Sequence, residues 1–354
     1  MALSDYFETQ DDFLESVIYP TLAKSKDSSP LMDKNERLVY RKCATYLHRY
    51  MAQGVVLERE GLELACWVLK EKMVEIGDFL IKEIQRLNLG RGVEGRLLED
   101  LKEAGADPDD YARAIIEILA KIPRRKVATT YKFILKALEA RSKELANKKI
   151  SEIEKGLQHL KRMFSLTDKE YEVCLFLYIL STYDKVEIYF VHYLNCHLFA
   201  CRRHLLRILN LTKQDYADIF SGTIKRVGLL EMDHNYLKLE KDFIKILEDP
   251  SGDFTSIFFK KARKTTTRLE HHFIDTEQTA HLLKLLSRKT ETPTHILLYG
   301  VPGTGKTSYS CGLAAEVGAP AYEISLGEET NKSSQRRAAL MACLNMTNTG
   351  KGSV

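Results

Sequence analysis

Gly300-Val301-Pro302-Gly303-Thr304-Gly305-Lys306-Thr307 fills every fixed position of the pattern G-x-x-x-x-G-K-[ST]. The flanks have the character this pattern requires. The apolar run His295-Ile296-Leu297-Leu298-Tyr299 before it reads as a buried strand, and Ser308 to Val317 after it reads as a helix. The residue types follow from phosphate chemistry. The glycines let the backbone curl until successive N–H groups face one anion, and the helix adds the positive end of its dipole. Lys306 is placed to meet β- and γ-phosphates, and the Thr307 hydroxyl to ligate Mg²⁺. Gly300, Val301, Pro302, Gly303, Thr304, Gly305, Lys306, Thr307 and Ser308 are therefore the expected nucleotide-binding residues, with Lys306 and Thr307 as the catalytic pair and Thr307 as the metal ligand.

Ile296 to Thr307 resembles the Walker A segment of AAA+ ATPases, which usually read G-P-P-G-T-G-K-T; Val301 stands where the first proline would be. The likeness extends through the helix ending Ala314-Ala315-Glu316-Val317-Gly318 and an expected second strand, Pro320 to Ser325, and covers residues 269–354. It implies a doubly wound α/β core with a parallel sheet, ATP and Mg²⁺ as cofactors, and a homo-oligomer that remodels a protein partner. It also implies that the stretch His271-His272-Phe273-Ile274 passes near the adenine, with Phe273 or Ile274 against the base; core packing is the alternative. Leu326 to Lys332, where protein-threading rings carry an aromatic loop, has no aromatic residue. No strand of four apolar residues followed by Asp-Glu comes after Lys306. Ile246-Leu247-Glu248-Asp249 has the wrong order and precedes the loop. The reading is of a chain truncated before that strand, able to bind ATP and poor at hydrolysing it.

Residues 1–164 read as an all-α region. Lys24 to Pro30 is expected to be a loop, and one stripe runs from Leu62 to Ile84 and ends at Asn88 to Gly92. Asp107-Pro108-Asp109-Asp110 starts a helix that Ile122-Pro123 stops, and Tyr131 to Phe164 forms one long helix or two. Residues 165–250 order themselves as helix, helix, turn, helix and hairpin, which is the order of a winged helix. Thr167 with Glu170 and Thr212 with Asp215 have capping spacing, and a hairpin is expected across Ile224 to Leu239 with its turn at Asp233-His234-Asn235. Residues 251–268, with Lys260-Lys261-Ala262-Arg263-Lys264, read as a basic linker to the 269–354 core.

The 354 residues suggest two or three domains at about 150 residues each. Hydrophobic residues make up 44% and charged residues 29%, which excludes disordered and fibrous classes. The longest apolar run, Val173 to Leu180, is far short of the ~20 residues that span a bilayer, and the start carries no secretory pattern. Seven cysteines without a C-x-x-C pair read as reduced thiols in a cytoplasmic protein. His197, Cys201 and His204, with His192 and Cys196, read as packing residues rather than a zinc site. A net charge of +4 does not by itself call for nucleic acid. Lys225, Arg226 and Lys238 favour DNA contact by the winged-helix unit, and Asp215 and Asp218 oppose it. A DNA- or protein-binding regulator with the loop as a nucleotide switch is thus the alternative to an ATPase.

Overall fold

The computed structural model describes residues 32–347 except 55–56, 88–90, 106, 147–148, 195–197, 233–236, 250–254, 265–266, 289–293 and 326–332. The expected loops at Lys24 to Pro30 and Leu326 to Lys332, and the turn at Asp233 to Asn235, lie outside the described residues. Two compact units emerge. One holds residues up to Leu157 with Lys169–Asp218 and Leu230–Glu248; the other holds Gln158–Asp168, Ile219–Leu229 and the chain from Asp249.

The first unit is built of helices: α1 (Lys34–Ala52), α2 (Arg59–Val68), α3 (Met73–Leu87), α4 (Arg91–Glu103), α5 (Pro108–Lys121), α6 (Arg124–Glu144), the start of α7 (Glu152–Phe164), nearly all of α8 (Asp168–Thr182), α9 (Asp184–Leu194), α10 (Leu198–Ile208) and most of α11 (Lys213–Ser221). Local chemistry sets several ends. Asp107 accepts hydrogen bonds from the Asp109 and Asp110 amides with Pro108 in the first turn, and these bonds hold its carboxyl below the usual range. Thr212 and Asp215 cap α11 reciprocally at 2.9 and 3.1 Å. Lys169, 2.6 Å away, and the Thr212 bonds bring the Asp215 carboxyl down to about 2.

The stripe from Leu62 to Ile84 is not one helix. Lys70-Glu71-Lys72 interrupts its apolar spacing, and a 3-10 turn there keeps both Leu69 and Met73 buried. The glycines around residue 90 do not keep the chain from helix, because α4 starts at Arg91. Its buried Leu97 and Leu101, one turn apart, outweigh the helix propensity that Gly92 and Gly95 lack. The stripe from Tyr131 to Phe164 resolves into α6 and α7. Helix α9 was not foreseen.

Tertiary packing explains the long apolar run. Every residue from Val173 to Leu180 is buried, so α8 is enclosed on all sides. Phe176 stands edge-on to Tyr46 at 5.2 Å and to Phe190 at 5.3 Å. Helix α1 lies along α6, with Thr45 Oγ1 2.8 Å from Ser142 Oγ, and Arg41 reaches Glu154 on α7 at 2.9 Å. Gly61 lets α2 approach α9, since a Cβ there would stand 2.6 Å from the Tyr189 ring. Gly156 does the same for α7, with the Ile246 carbonyl and the Leu247 Cα each 3.0 Å from the place of a Cβ. A short antiparallel hairpin, β1 (Leu230–Met232) with β2 (Leu237–Leu239), pairs Leu230 with Leu239, and α13 (Lys241–Glu248) follows. The hairpin is shorter than expected, because Thr223–Arg226 (α12) is helical.

The second unit carries α12, α14 (Thr255–Phe258), β3 (Phe259–Lys261), α15 (Thr276–Leu286), α16 (Lys306–Glu316), β4 (Tyr322–Ile324) and α17 (Ser333–Thr347). Residues 158–168 and 219–229 pack here: Asn345 Nδ2 donates to the Met163 carbonyl at 2.8 Å, and Gly228 abuts Ser334. Contacts therefore cut through the expected 165–250 division. The parallel sheet is corrected as well. Strand β4 pairs antiparallel with β3, Phe259 opposite Ile324 and Lys261 opposite Tyr322, and among the described residues no parallel pair forms. The expected basic linker thus supplies a strand. Its lysines suit an edge, where Lys260 meets Glu323 at 3.2 Å, while Phe259 is buried and packs on Tyr322 at 5.8 Å.

Candidate nucleotide site

Residues 300–307 form a tight loop that leads into α16. Gly300, Gly303 and Gly305 have φ of 148°, 86° and 80°, a region that side chains rarely adopt, and this is what the glycines of the pattern supply. Gly305 is the last residue before α16, and its carbonyl accepts the Tyr309 amide at 2.8 Å. Among the described residues, the amides of Gly303, Gly305, Lys306 and Thr307 have no hydrogen-bond acceptor. These four donors lie at or just before the start of an eleven-residue helix, the end that carries the positive pole of its dipole.

The Lys306 ammonium folds back over this loop. It donates to the Gly300 carbonyl at 3.1 Å, the Val301 carbonyl at 2.8 Å and Thr304 Oγ1 at 3.4 Å. Thr304 Oγ1 in turn donates to the Val301 carbonyl at 2.9 Å. These partners are all neutral oxygens, so a phosphate in their place would add direct attraction between opposite charges. Thr307 is exposed on the first turn, free to offer its hydroxyl. A triphosphate with Mg²⁺ fits this donor set, since Mg²⁺ usually keeps several waters and takes one or two protein oxygens beside phosphate.

A strap from Leu269 to Ile274 crosses α16. Leu269 fills the space beside Gly312, where a Cβ would meet its Cδ2 at 2.7 Å. The His272 ring stands edge-on to Tyr309 at 5.4 Å, with Nε2 3.5 Å from Ser308 Oγ and Nδ1 3.2 Å from where a Cβ of Gly305 would be. Tyr309 OH lies 2.8 Å from Thr279 Oγ1 on α15. His272 stands beside the loop, and the expected Phe273 and Ile274 follow it in the chain. Phe273 is fully exposed and Ile274 exposed, so neither is a core residue. The contacts of His272 carry no spacing signal in the sequence.

The strand expected at His295 to Tyr299 does not form. The segment belongs to no ladder, and Leu297 and Tyr299 are 85% and 88% exposed. Such a run is buried only when neighbouring strands flank it, and β3 is paired with β4 instead. The carboxylate on β4, Glu323, is ion-paired with Lys260. Among the described residues no three His, Cys, Asp or Glu side chains group to hold a metal. Of the expected zinc candidates, His204 meets Tyr50 OH through Nδ1; the side chains of His192, Cys196, His197 and Cys201 lie outside the described residues. No described helix is long and apolar enough to cross a membrane.

The family model "ATPase family associated with various cellular activities (AAA)" matches residues 296–351. A replication factor C large subunit from Thermoplasma volcanium is 43% identical over 49 residues, 14% of this chain and 12% of that relative's length. No solved structure matches the chain. Residues 296–351, which hold the loop, the helix it starts and the segment beyond, are thus similar to the AAA ATPase family model.

Proposed function

We propose that the chain binds ATP with Mg²⁺ at Gly300 to Ser308 and works, as part of a homo-oligomeric ATPase, to remodel a protein partner. The observation that carries the reading is the Lys306 ammonium resting on the loop carbonyls above four amides without acceptors. In this reading the amides of Gly303, Gly305, Lys306 and Thr307 bind the phosphates, Lys306 leaves Gly300 and Val301 to hold the terminal phosphates, and the Thr307 hydroxyl orients the metal. Bound Mg²⁺ would neutralise charge that builds on the phosphate oxygens. Phe273 and Ile274 supply apolar surface for the base, and His272 fixes their strap against Ser308 and Tyr309. A relative described as a large subunit supports operation within an assembly.

The order of α10, α11 and the β1–β2 hairpin supports a winged-helix-like arrangement upstream. Turnover by these residues alone is proposed to be low. Positioning and electrostatics supply nearly all of phosphoryl-transfer catalysis, and Lys306 and Thr307 make only part of that clamp.

Titrating residues 1–354 with a fluorescent ATP analogue and Mg²⁺ tests the reading. Saturable binding that Lys306→Ala weakens at least tenfold is expected; equal affinity of the two proteins overturns it.

A further inference from the structure

Between Arg124 and Leu138 the chain has five cations, Arg124, Arg125, Lys126, Lys132 and Lys136, and no acid, although the whole protein is only +4. This stretch is the first two-thirds of α6, in the unit that lacks the phosphate loop. We propose that it is a docking surface for the sugar-phosphate backbone of duplex nucleic acid.

Three observations carry the proposal. At 3.6 residues per turn, Arg125, Lys132 and Lys136 fall within about 40° of each other, so they form one row along the helix. All three are exposed, as is Arg124, and among the described residues none of the four has an ion-pair partner. Several cations on other helices are paired within their own helix, as in Arg59–Glu63, Arg113–Asp110 and Lys155–Glu152.

The first turn of α6 is also cationic where the helix dipole favours anions. Arg124, Arg125 and Lys126 stand there with no acid and no side-chain cap. An anion bound along the row would offset this. The neighbouring acids are already neutralised: Glu83 is buried between Lys126 at 2.7 Å and Arg86 at 2.8 Å, and Glu139, which ends the row, is paired with Lys143 at 2.6 Å. The flank toward α3 adds Arg86 and Lys82, both exposed.

The geometry favours a duplex over a membrane. At ~1.5 Å per residue the row from Arg125 to Lys136 is about 16 Å long, enough to reach phosphates on both sides of a major groove ~12 Å wide. A membrane-surface helix needs an exposed apolar face, and that of α6 is spent. Ile134 and Leu138 are buried, and Phe133 stacks on Phe79 at 4.1 Å.

The test is fluorescence anisotropy of the full chain with a labelled 20-base-pair duplex across a salt series. The wild type should bind at low salt and weaken steeply as salt rises. The triple variant Arg125→Ala, Lys132→Ala, Lys136→Ala should flatten the slope of log affinity against log salt by about 2.7, at about 0.9 for each phosphate contact. A variant of equal net charge, Arg59→Ala, Arg113→Ala, Lys155→Ala, should leave the slope near that of the wild type, and Lys132→Arg with Lys136→Arg should keep binding. Circular dichroism checks that each variant is folded. No duplex binding at low salt, equal loss in the two triple variants, or binding of the row to phosphatidylserine vesicles in place of duplex would each overturn the proposal.

Discussion

Phe176 stands edge-on between Tyr46 and Phe190 with no exposed surface, while Leu297 and Tyr299, also large and apolar, stand almost wholly in solvent. The first region closes over its apolar residues with helices on every side. The second presents a loop of unpartnered amides, an exposed Phe273 and an α15 with no fully buried residue. Burial of about 25 cal/mol per Å² of apolar surface drives folding in the first. Little of that gain is available around the loop, whose exposed donors and apolar groups are what a ligand would cover. The difference teaches that the burial which stabilises this chain is concentrated away from the loop, the stretch proposed to bind.

The largest test of this contrast is Phe176→Ala, which removes a fully buried ring and is expected to destabilise the helical unit by about 3–5 kcal/mol. Trp67, the sole tryptophan, lies in that unit, so its fluorescence during urea unfolding reads the shift. Binding of the ATP analogue in the absence of urea should be unchanged; its loss would break the separation.

A smaller effect is expected from Gly156→Val, which forces bulk against the Ile246 carbonyl and Leu247 Cα. Overpacking of this kind costs about 1–3 kcal/mol, read by the same transition. In the other region Gly305→Ala meets both a left-handed backbone and the His272 ring. The strain is about 1–2 kcal/mol, and it should weaken the ATP analogue several-fold while the Trp67 transition stays where it was.

Asp107→Ala should have the smallest effect, about 1 kcal/mol for a lost helix cap. Because the folded carboxyl sits below its unfolded value, its contribution is present above the ordinary carboxylate range and disappears as pH falls through the lowered value. The variant and wild type should therefore converge in stability toward low pH in acid-unfolding curves.

What could be read from the sequence was whatever neighbours in the chain decide. Asp107 caps its helix with amides two and three residues on, and the Thr212–Asp215 pair closes within one turn. The phosphate loop needs only its own glycines. The strand at His295 to Tyr299 failed as an expectation because a strand is completed by distant partners, and the apolar pattern cannot say whether they arrive. Strand β3 was missed for the converse reason: its lysines look like a solvated connector until Tyr322 to Ile324 comes alongside. His272 gave no signal, since its contacts with Ser308 and Tyr309 come from the path of the strap. The basic row on α6 was hidden by a balanced net charge, which averages over what one helix face concentrates.

The β3–β4 pairing has a kinetic consequence. Ala262 donates to the Ala321 carbonyl at 2.9 Å and Ser325 to the Phe258 carbonyl at 2.8 Å, so the ladder clasps both ends of one long excursion of chain, and the phosphate loop lies on that excursion. Closing a loop of this length pays its entropy before any contact repays it, and antiparallel contacts between such distant residues form late. On dilution from denaturant, capacity for the nucleotide should return only as the two strands find each other, so its recovery time measures that step.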